Sequence, residues 1–200
     1  MKPEQPMDKI HQSGAAHADQ RPRRRFLRTL AGMALATPAL SLPRLGHASA
    51  SYRRAESLAF EHTHTGESLA VVFRVEGEYV PSALRSLNYF LRDFRTGDQC
   101  AMDPQLLDIL SSLTAITGSK APFQVISAYR SPHTNEMLRE NGRGVAKSSL
   151  HLEGRAIDIR LADVPLADLR DAALSLKSGG VGFYPGPSFV HVDTGRVRSW

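Results

Sequence analysis

The 200-residue chain has almost no cysteine: Cys100 stands alone. One thiol excludes an internal disulfide framework and a multi-cysteine zinc finger. Aromatic residues are few, at 7%, with Trp200 the single tryptophan. No apolar run reaches the ~20 residues that a membrane span requires. The nearest approach, residues 26–42, is interrupted by Gly32, Thr37 and Pro38. Internal repeats and low-complexity tracts are absent, and 42% hydrophobic with 22% charged residues is near the globular average. These features exclude a disordered, collagen-like or polytopic membrane protein. Excess charge is also absent from most of the chain. The net +5 lies wholly in residues 1–50, which hold 8 basic and 3 acidic residues, whereas residues 51–200 hold 17 of each. The pI of about 9.7 therefore gives no reason to expect nucleic-acid binding by the folded part.

What is present begins with an address. Arg21, Arg23, Arg24, Arg25 and Arg28 precede the moderately apolar residues 26–42, and the small-residue site Ala48-Ser49-Ala50 follows. Basic, apolar, then A-x-A is the order of an export signal. The run Arg23-Arg24-Arg25-Phe26-Leu27-Arg28 resembles the twin-arginine consensus, although Pro22 stands where Ser or Thr is usual. Residues 1–50 are thus expected to be a twin-arginine-type export signal cleaved after Ala50. The export machinery would be the precursor's partner, the periplasm its destination, and no membrane span would remain. An uncleaved anchor and a basic tail are the other readings. The remaining 150 residues suffice for one core.

Within residues 51–200, Ser68–Val75 (SLAVVFRV) is apolar and β-branched and reads as a strand. Leu84, Leu87, Leu91 and Phe94 form a helical stripe that starts at Pro81 and ends at Gly97. Asp103 and Pro104 open a second helix with Leu106, Leu107, Leu110 and Leu113 buried, and Gly118 lies past its end. Residues 123–128 read as a strand, 131–141 as a turn and short helix, and 141–150 as a polar loop. Residues 155–161 alternate. A third helix is expected over 166–177, then strands at 181–184 and 189–193 around Pro185-Gly186-Pro187. The fold class expected is α+β, a small, mainly antiparallel sheet flanked by three to four helices.

Five histidines follow the signal: His62, His64, His133, His151 and His191. Asp158 and His191 each sit mid-strand among β-branched residues. A strand puts neighbours on opposite faces, so Asp158, His191 and Asp193 occupy one sheet face and the apolar residues the other. Ionisable groups on one buried face need a partner. A divalent metal is such a partner, and two imidazoles with one carboxylate leave a tetrahedral zinc one open position, the catalytic arrangement. Water on such a metal reaches a pKa near ~7 and can attack an amide. A histidine satisfied by a neighbouring carboxylate is the bland alternative.

Ser149-x-His151-x-x-Gly154-x-Ala156-x-Asp158 resembles the S-x-H-x-x-G-x-A-x-D motif of the zinc D-alanyl-D-alanine carboxypeptidase superfamily, which includes the hedgehog amino-terminal domain. Ser127-Ala128-Tyr129-Arg130-Ser131, residues 144–147, Gly179-Gly180-Val181-Gly182-Phe183-Tyr184-Pro185 and residues 189–195 extend the match. His62 to Ser68 and Leu87 to Phe94 are similar to the MepK-type branch, exported murein endopeptidases that cut peptide cross-links in peptidoglycan. The resemblance implies that residues 51–200 are a zinc peptidase domain holding one Zn2+ through His151, Asp158 and His191. It implies that Arg130 binds or polarises the substrate, and a guanidinium suits a carboxylate or a developing oxyanion. Ser149 is a candidate substrate contact or a loop cap. Superfamily members often carry Glu three residues before the last histidine ligand, where Ser188 stands here. Asp193 is the candidate base, or else it orients a ligand histidine.

The resulting expectation is a periplasmic, zinc-dependent murein endopeptidase, with bonds between two meso-diaminopimelate residues as the favoured target. A D,D- or L,D-carboxypeptidase, a non-catalytic zinc-containing wall-binding domain and a hedgehog-like interaction domain are the rivals. His62, His64 and His133 read as loop or surface residues, Cys100 as a partly buried free thiol and Trp200 as packed or frayed. Glu153 is left open.

Overall fold

A computed structural model describes residues 55–141 and 145–200. The expected export signal, its cleavage site and residues 142–144 of the polar loop lie outside the described residues. Among those described, no helix is long and apolar enough to cross a membrane.

Strand β1 (Ala55–His62) alternates and buries Leu58, Phe60 and His62. It pairs antiparallel with β2 (Ser68–Val75), and the two-residue β3 (Glu78–Tyr79) joins the far side of β2. Helix α1 (Pro81–Phe90) buries Ala83, Leu87 and Phe90. Helix α2 (Gln105–Thr117) starts where the Asp103 carboxylate accepts the Gln105 N–H at 3.0 Å, and it stops at Gly118. Strand β4 (Phe123–Ser127) and helix α3 (Pro132–Glu140) follow, the latter capped by the Ser131 hydroxyl. A single 3-10 turn, Leu150–Glu153, precedes β5 (Ala156–Leu161). Helix α4 (Leu166–Leu176), β6 (Gly180–Tyr184), β7 (Phe189–Asp193) and the short β8 (Arg198–Ser199) complete the fold.

The sheet runs β3-β2-β1-β4-β5-β7-β6-β8, and its neighbours are antiparallel except β1 with β4 and β6 with β8. The α+β class and the mainly antiparallel pairing agree with the sequence. At eight strands among the described residues, however, the sheet is larger than the small one expected. Two strands escaped notice. β1 hides its alternation among Glu56, Ser57, Glu61 and His62, and β8 is only two residues long. His62 corrects the loop reading: it is 2% exposed at the end of β1, edge-on to Phe90 and Phe94. His64 and His133 are exposed.

Helices α2 and α4 pack on each other, and α4 lies against β5, β6 and β7. Leu110, Leu113 and Leu169 join Ile157, Ile159, Val190 and Val192 in one core cluster. Each such side chain contributes about 1.5–3 kcal/mol on full burial. Register makes the two faces of the sheet differ. Ile157 opposes Val192 and Ile159 opposes Val190 on the apolar face. Asp158 opposes His191 and Ala156 opposes Asp193 on the other.

Candidate metal centre and active-site cleft

Two adjacent strands and one turn deliver the polar cluster. Asp158 on β5 and His191 on β7 are directly paired, which puts their Cβ atoms about 4.5–5.5 Å apart before any side chain moves. His151 arrives on the 3-10 turn. The Ser149 hydroxyl caps that turn by accepting the His151 N–H at 3.4 Å, and Gly154 ends it at φ 67°. Gly154 is required twice. Its backbone is left-handed, and a Cβ there would stand 2.5 Å from the Ala101 carbonyl oxygen.

His151, Asp158 and His191 are 3%, 5% and 8% exposed. His151 Nε2 lies 3.2 Å from His191 Nδ1 and 3.3 Å from Asp158 Oδ1, and His191 Nδ1 lies 2.9 Å from the same oxygen. The outer nitrogens settle where the hydrogens are. His151 Nδ1 faces the Ala128 carbonyl oxygen at 2.6 Å, and His191 Nε2 faces Asp193 Oδ2 at 3.0 Å. Both partners only accept, so each outer nitrogen carries the hydrogen. In the neutral rings the inner nitrogens are then lone pairs aimed at a carboxylate. Three acceptors within 3.3 Å of one another, with no hydrogen between them, form a set that fits a cation. Without one, the charges act on each other. Burial disfavours the Asp158 carboxylate, yet His151 and His191 outweigh it and hold its pKa well below the usual range. Burial likewise disfavours an imidazolium at His191, but Asp158 and Asp193 outweigh it and raise that pKa.

Asp193 is on the same face as His191, as alternation requires, but its carboxylate is fully engaged. Its Oδ1 accepts N–H groups from Gly180 at 2.9 Å, Gly195 at 2.8 Å and Arg198 Nη1 at 3.0 Å. Its Oδ2 accepts Arg198 Nη2 at 2.7 Å as well as the His191 ring. The side chain is wholly buried. Burial opposes its charge, but His191, Arg198 and the two backbone N–H groups hold its pKa well below the usual carboxylate range. A general base needs a free lone pair within reach of the proton it takes. Asp193 lies across the His191 ring from the acceptor cluster and outside the cleft lining, so the base assignment has no geometric footing.

The cluster opens into a cleft of about 290 Å³. Arg130 lines one side, 9% exposed, its Nη1 donating to Asn135 Oδ1 at 3.4 Å and its Nε without a partner among the described residues. Burial lowers its pKa, while the nearby Asp158 charge works the other way. A desolvated guanidinium with a spare donor suits an incoming anionic or carbonyl oxygen. Ser149 also borders the cleft. Its oxygen is taken by the turn, which leaves its O–H as a donor. Tyr184, Arg198 and Trp200 also line the cleft, and none of them was expected there from the sequence. The repeat of Gly180 and Gly182 on β6 was the available signal. Glu153 points out to solvent and pairs with Arg155.

Comparison with known proteins fits this geometry. Residues 49–200 match the family Peptidase_M15_2, described as peptidoglycan L,D-endopeptidase MepK. The chain belongs to Peptidase_M15_2. Among its relatives, the peptidoglycan L,D-endopeptidase MepK of Escherichia coli (strain K12) is 43% identical over 177 residues, which is 88% of this chain and 96% of that protein. The probable peptidoglycan L,D-endopeptidase MepK of Haemophilus influenzae is 42% identical over 173 residues, 86% of this chain and 92% of that one. Membership of Peptidase_M15_2 makes the chain a peptidase of a family that implies a metal. His151, Asp158 and His191 form the one group arranged to hold it among the described residues.

Proposed function

We propose that the chain is a periplasmic, zinc-dependent murein endopeptidase that hydrolyses peptide cross-links of peptidoglycan. The observation that carries this reading is the cluster of three inward-facing acceptors beside Arg130, in a chain of a peptidase family. Zinc suits the donor set: tetrahedral ligands ~2.1 Å from the ion lie ~3.4 Å apart, close to the spacing of these three atoms. The relatives are named L,D-endopeptidases. A bond between two meso-diaminopimelate residues joins an L centre to a D centre, so that bond is the favoured target. Residues 1–50 serve as the twin-arginine-type export signal, with cleavage after Ala50.

When bound, zinc supplies Lewis acidity that polarises a carbonyl and makes water a stronger acid. His151, Asp158 and His191 hold it. The Ala128 carbonyl and Asp193 fix the two ring hydrogens, which keeps both inner nitrogens unprotonated and aimed inward. Asp193 is thereby a positioning residue acting through His191. Arg130 receives a substrate carboxylate or the oxygen that gains charge at the scissile carbonyl. Ser149 fixes the His151 turn and offers its O–H to the peptide.

The test is a digest of purified cross-linked muropeptides with and without chelator, read by mass spectrometry. Metal-dependent conversion of dimers to monomers is expected. Loss of only a terminal residue from stem peptides would make it a carboxypeptidase. Intact muropeptides with one zinc bound per chain would overturn the enzyme reading for this substrate.

A further inference from the structure

On its cleft-facing side strand β6 carries only glycine, Gly180 and Gly182, before it reaches Tyr184. Gly182 is paired with His191 on one side, and Gly180 with Arg198 on the other. A Cβ on Gly180 would stand 2.3 Å from the Arg198 guanidinium and 2.5 Å from the Asp193 carboxylate. A Cβ on Gly182 would stand 2.8 Å from the rings of Trp200 and Tyr184. The bare strip is therefore filled from the sheet edge: Arg198 reaches over Gly180 to Asp193, and Trp200 lies over Gly182 against His191, ring centres 5.2 Å apart.

Trp200 is neither frayed nor part of the core. Its backbone N–H donates to Val181 O at 3.2 Å, and its carbonyl accepts the Phe183 N–H at 3.1 Å. Its indole N–H donates to the Tyr184 hydroxyl at 2.7 Å, and the Arg198 guanidinium lies 4.9 Å from its ring. A ring held at all these points is nonetheless 51% exposed, in the wall of the cleft. Packing alone would bury such a ring, since an aromatic side chain gains most of its stabilisation from covered area. A rigid, half-open aromatic face beside the acceptor cluster, in the same cleft as a guanidinium with a spare donor, is built to receive a chain that is aliphatic in the middle and anionic at one end.

We propose that Trp200 is a substrate-binding platform, its open face taking the aliphatic side chain of a stem-peptide diaminopimelate while Arg130 takes a carboxylate of the same peptide. This rests on the murein endopeptidase reading above and adds the residue that selects the side chain.

Trp200 is the only tryptophan of the chain, so its fluorescence reports on the cleft directly. Titrating the purified zinc-loaded protein with uncross-linked disaccharide tetrapeptide is expected to shift its emission saturably. Emission that stays fixed up to millimolar peptide would overturn the proposal. On cross-linked dimers, Trp200→Ala is expected to raise KM on the order of tenfold with kcat nearly unchanged. Trp200→Phe, which keeps a ring and guards against a misfolded alanine variant, should recover most of that loss. A fall in kcat at constant KM would make the ring a support for His191 and would also overturn the proposal. Failure of the wild-type protein to cleave dimers would sink the endopeptidase reading instead, and the emission titration would still decide whether Trp200 binds the peptide.

Discussion

Each imidazole in the cluster is oriented by what lies behind it. A backbone carbonyl stands behind His151 and a carboxylate behind His191. The carbonyl cannot be removed by substitution, but the carboxylate can. In Asp193→Asn one oxygen becomes an N–H2 group, Arg198 loses its counter-charge, and the hydrogen on His191 Nε2 loses its anionic acceptor. Metal affinity is expected to fall about 10- to 100-fold, the usual cost of losing such a partner. Titration against a chromophoric chelator measures it. If Asp193 were the proton acceptor, the variant would bind metal like the wild type and lose only hydrolysis. That the side chains of His151, Asp158 and His191 gather was legible in the sequence, because alternation puts Asp158 and His191 on one face and the motif that ends in Asp158 brings His151 with it. The part played by Asp193 was not. Alternation puts it on the right face but is silent about which ring nitrogen it meets, and that is set by Arg198, which arrives from another strand.

Between elements, the least conspicuous link to the cleft is Asp93. It lies past α1, is 1% exposed, and its Oδ2 accepts both the N–H and the hydroxyl of Ser131 at 2.9 and 2.7 Å. Its Oδ1 accepts the Arg95 N–H at 3.0 Å. The Leu91 carbonyl also accepts the Tyr129 N–H at 3.0 Å, so this segment braces the backbone on both sides of Arg130. Burial opposes the Asp93 charge, but the hydrogen bonds from its neighbours outweigh it and lower its pKa. The sign follows. A depressed carboxylate stabilises the fold above its unfolded pKa of ~3.9 and loses that contribution as pH falls through the folded value. Asp93→Asn is expected to cost about 2–3 kcal/mol at pH 7. The gap from wild type should narrow between pH 7 and pH 3, as read from urea midpoints at the two values. Sequence periodicity predicted α2 and α4 well, because a stripe of leucines with a glycine stop is a local signal. It overran α1, placing Phe94 on the helix, because Leu91 continues the apolar stripe although the helix ends at Phe90. Asp93 then turns toward Ser131, a partner 38 residues away that no local pattern reveals.

At the scale of the molecule, the core and the cluster occupy opposite faces of the same strands. The apolar residues of β5 and β7 pack in the helix-side cluster whether or not a cation is present. The three acceptors gather on the other face, where without a cation their lone pairs oppose one another. Metal removal should therefore loosen the domain without unfolding it, unlike a small zinc module whose fold depends on the ion. Binding stabilises the native state by RT ln(1 + [L]/Kd), about 2.7 kcal/mol at 100-fold excess over Kd. For about 150 folded residues that corresponds to roughly 5–10 °C in Tm. Chelator is expected to lower the melting temperature by this amount and leave the far-ultraviolet circular dichroism at 25 °C unchanged, with re-addition of zinc restoring both Tm and the native emission of Trp200. Collapse of the dichroism on chelation would mean that the ion, rather than the leucine and isoleucine layer beneath α2 and α4, holds the two halves of the sheet together. An unchanged Tm across a metal titration would mean that the cluster takes up no ion.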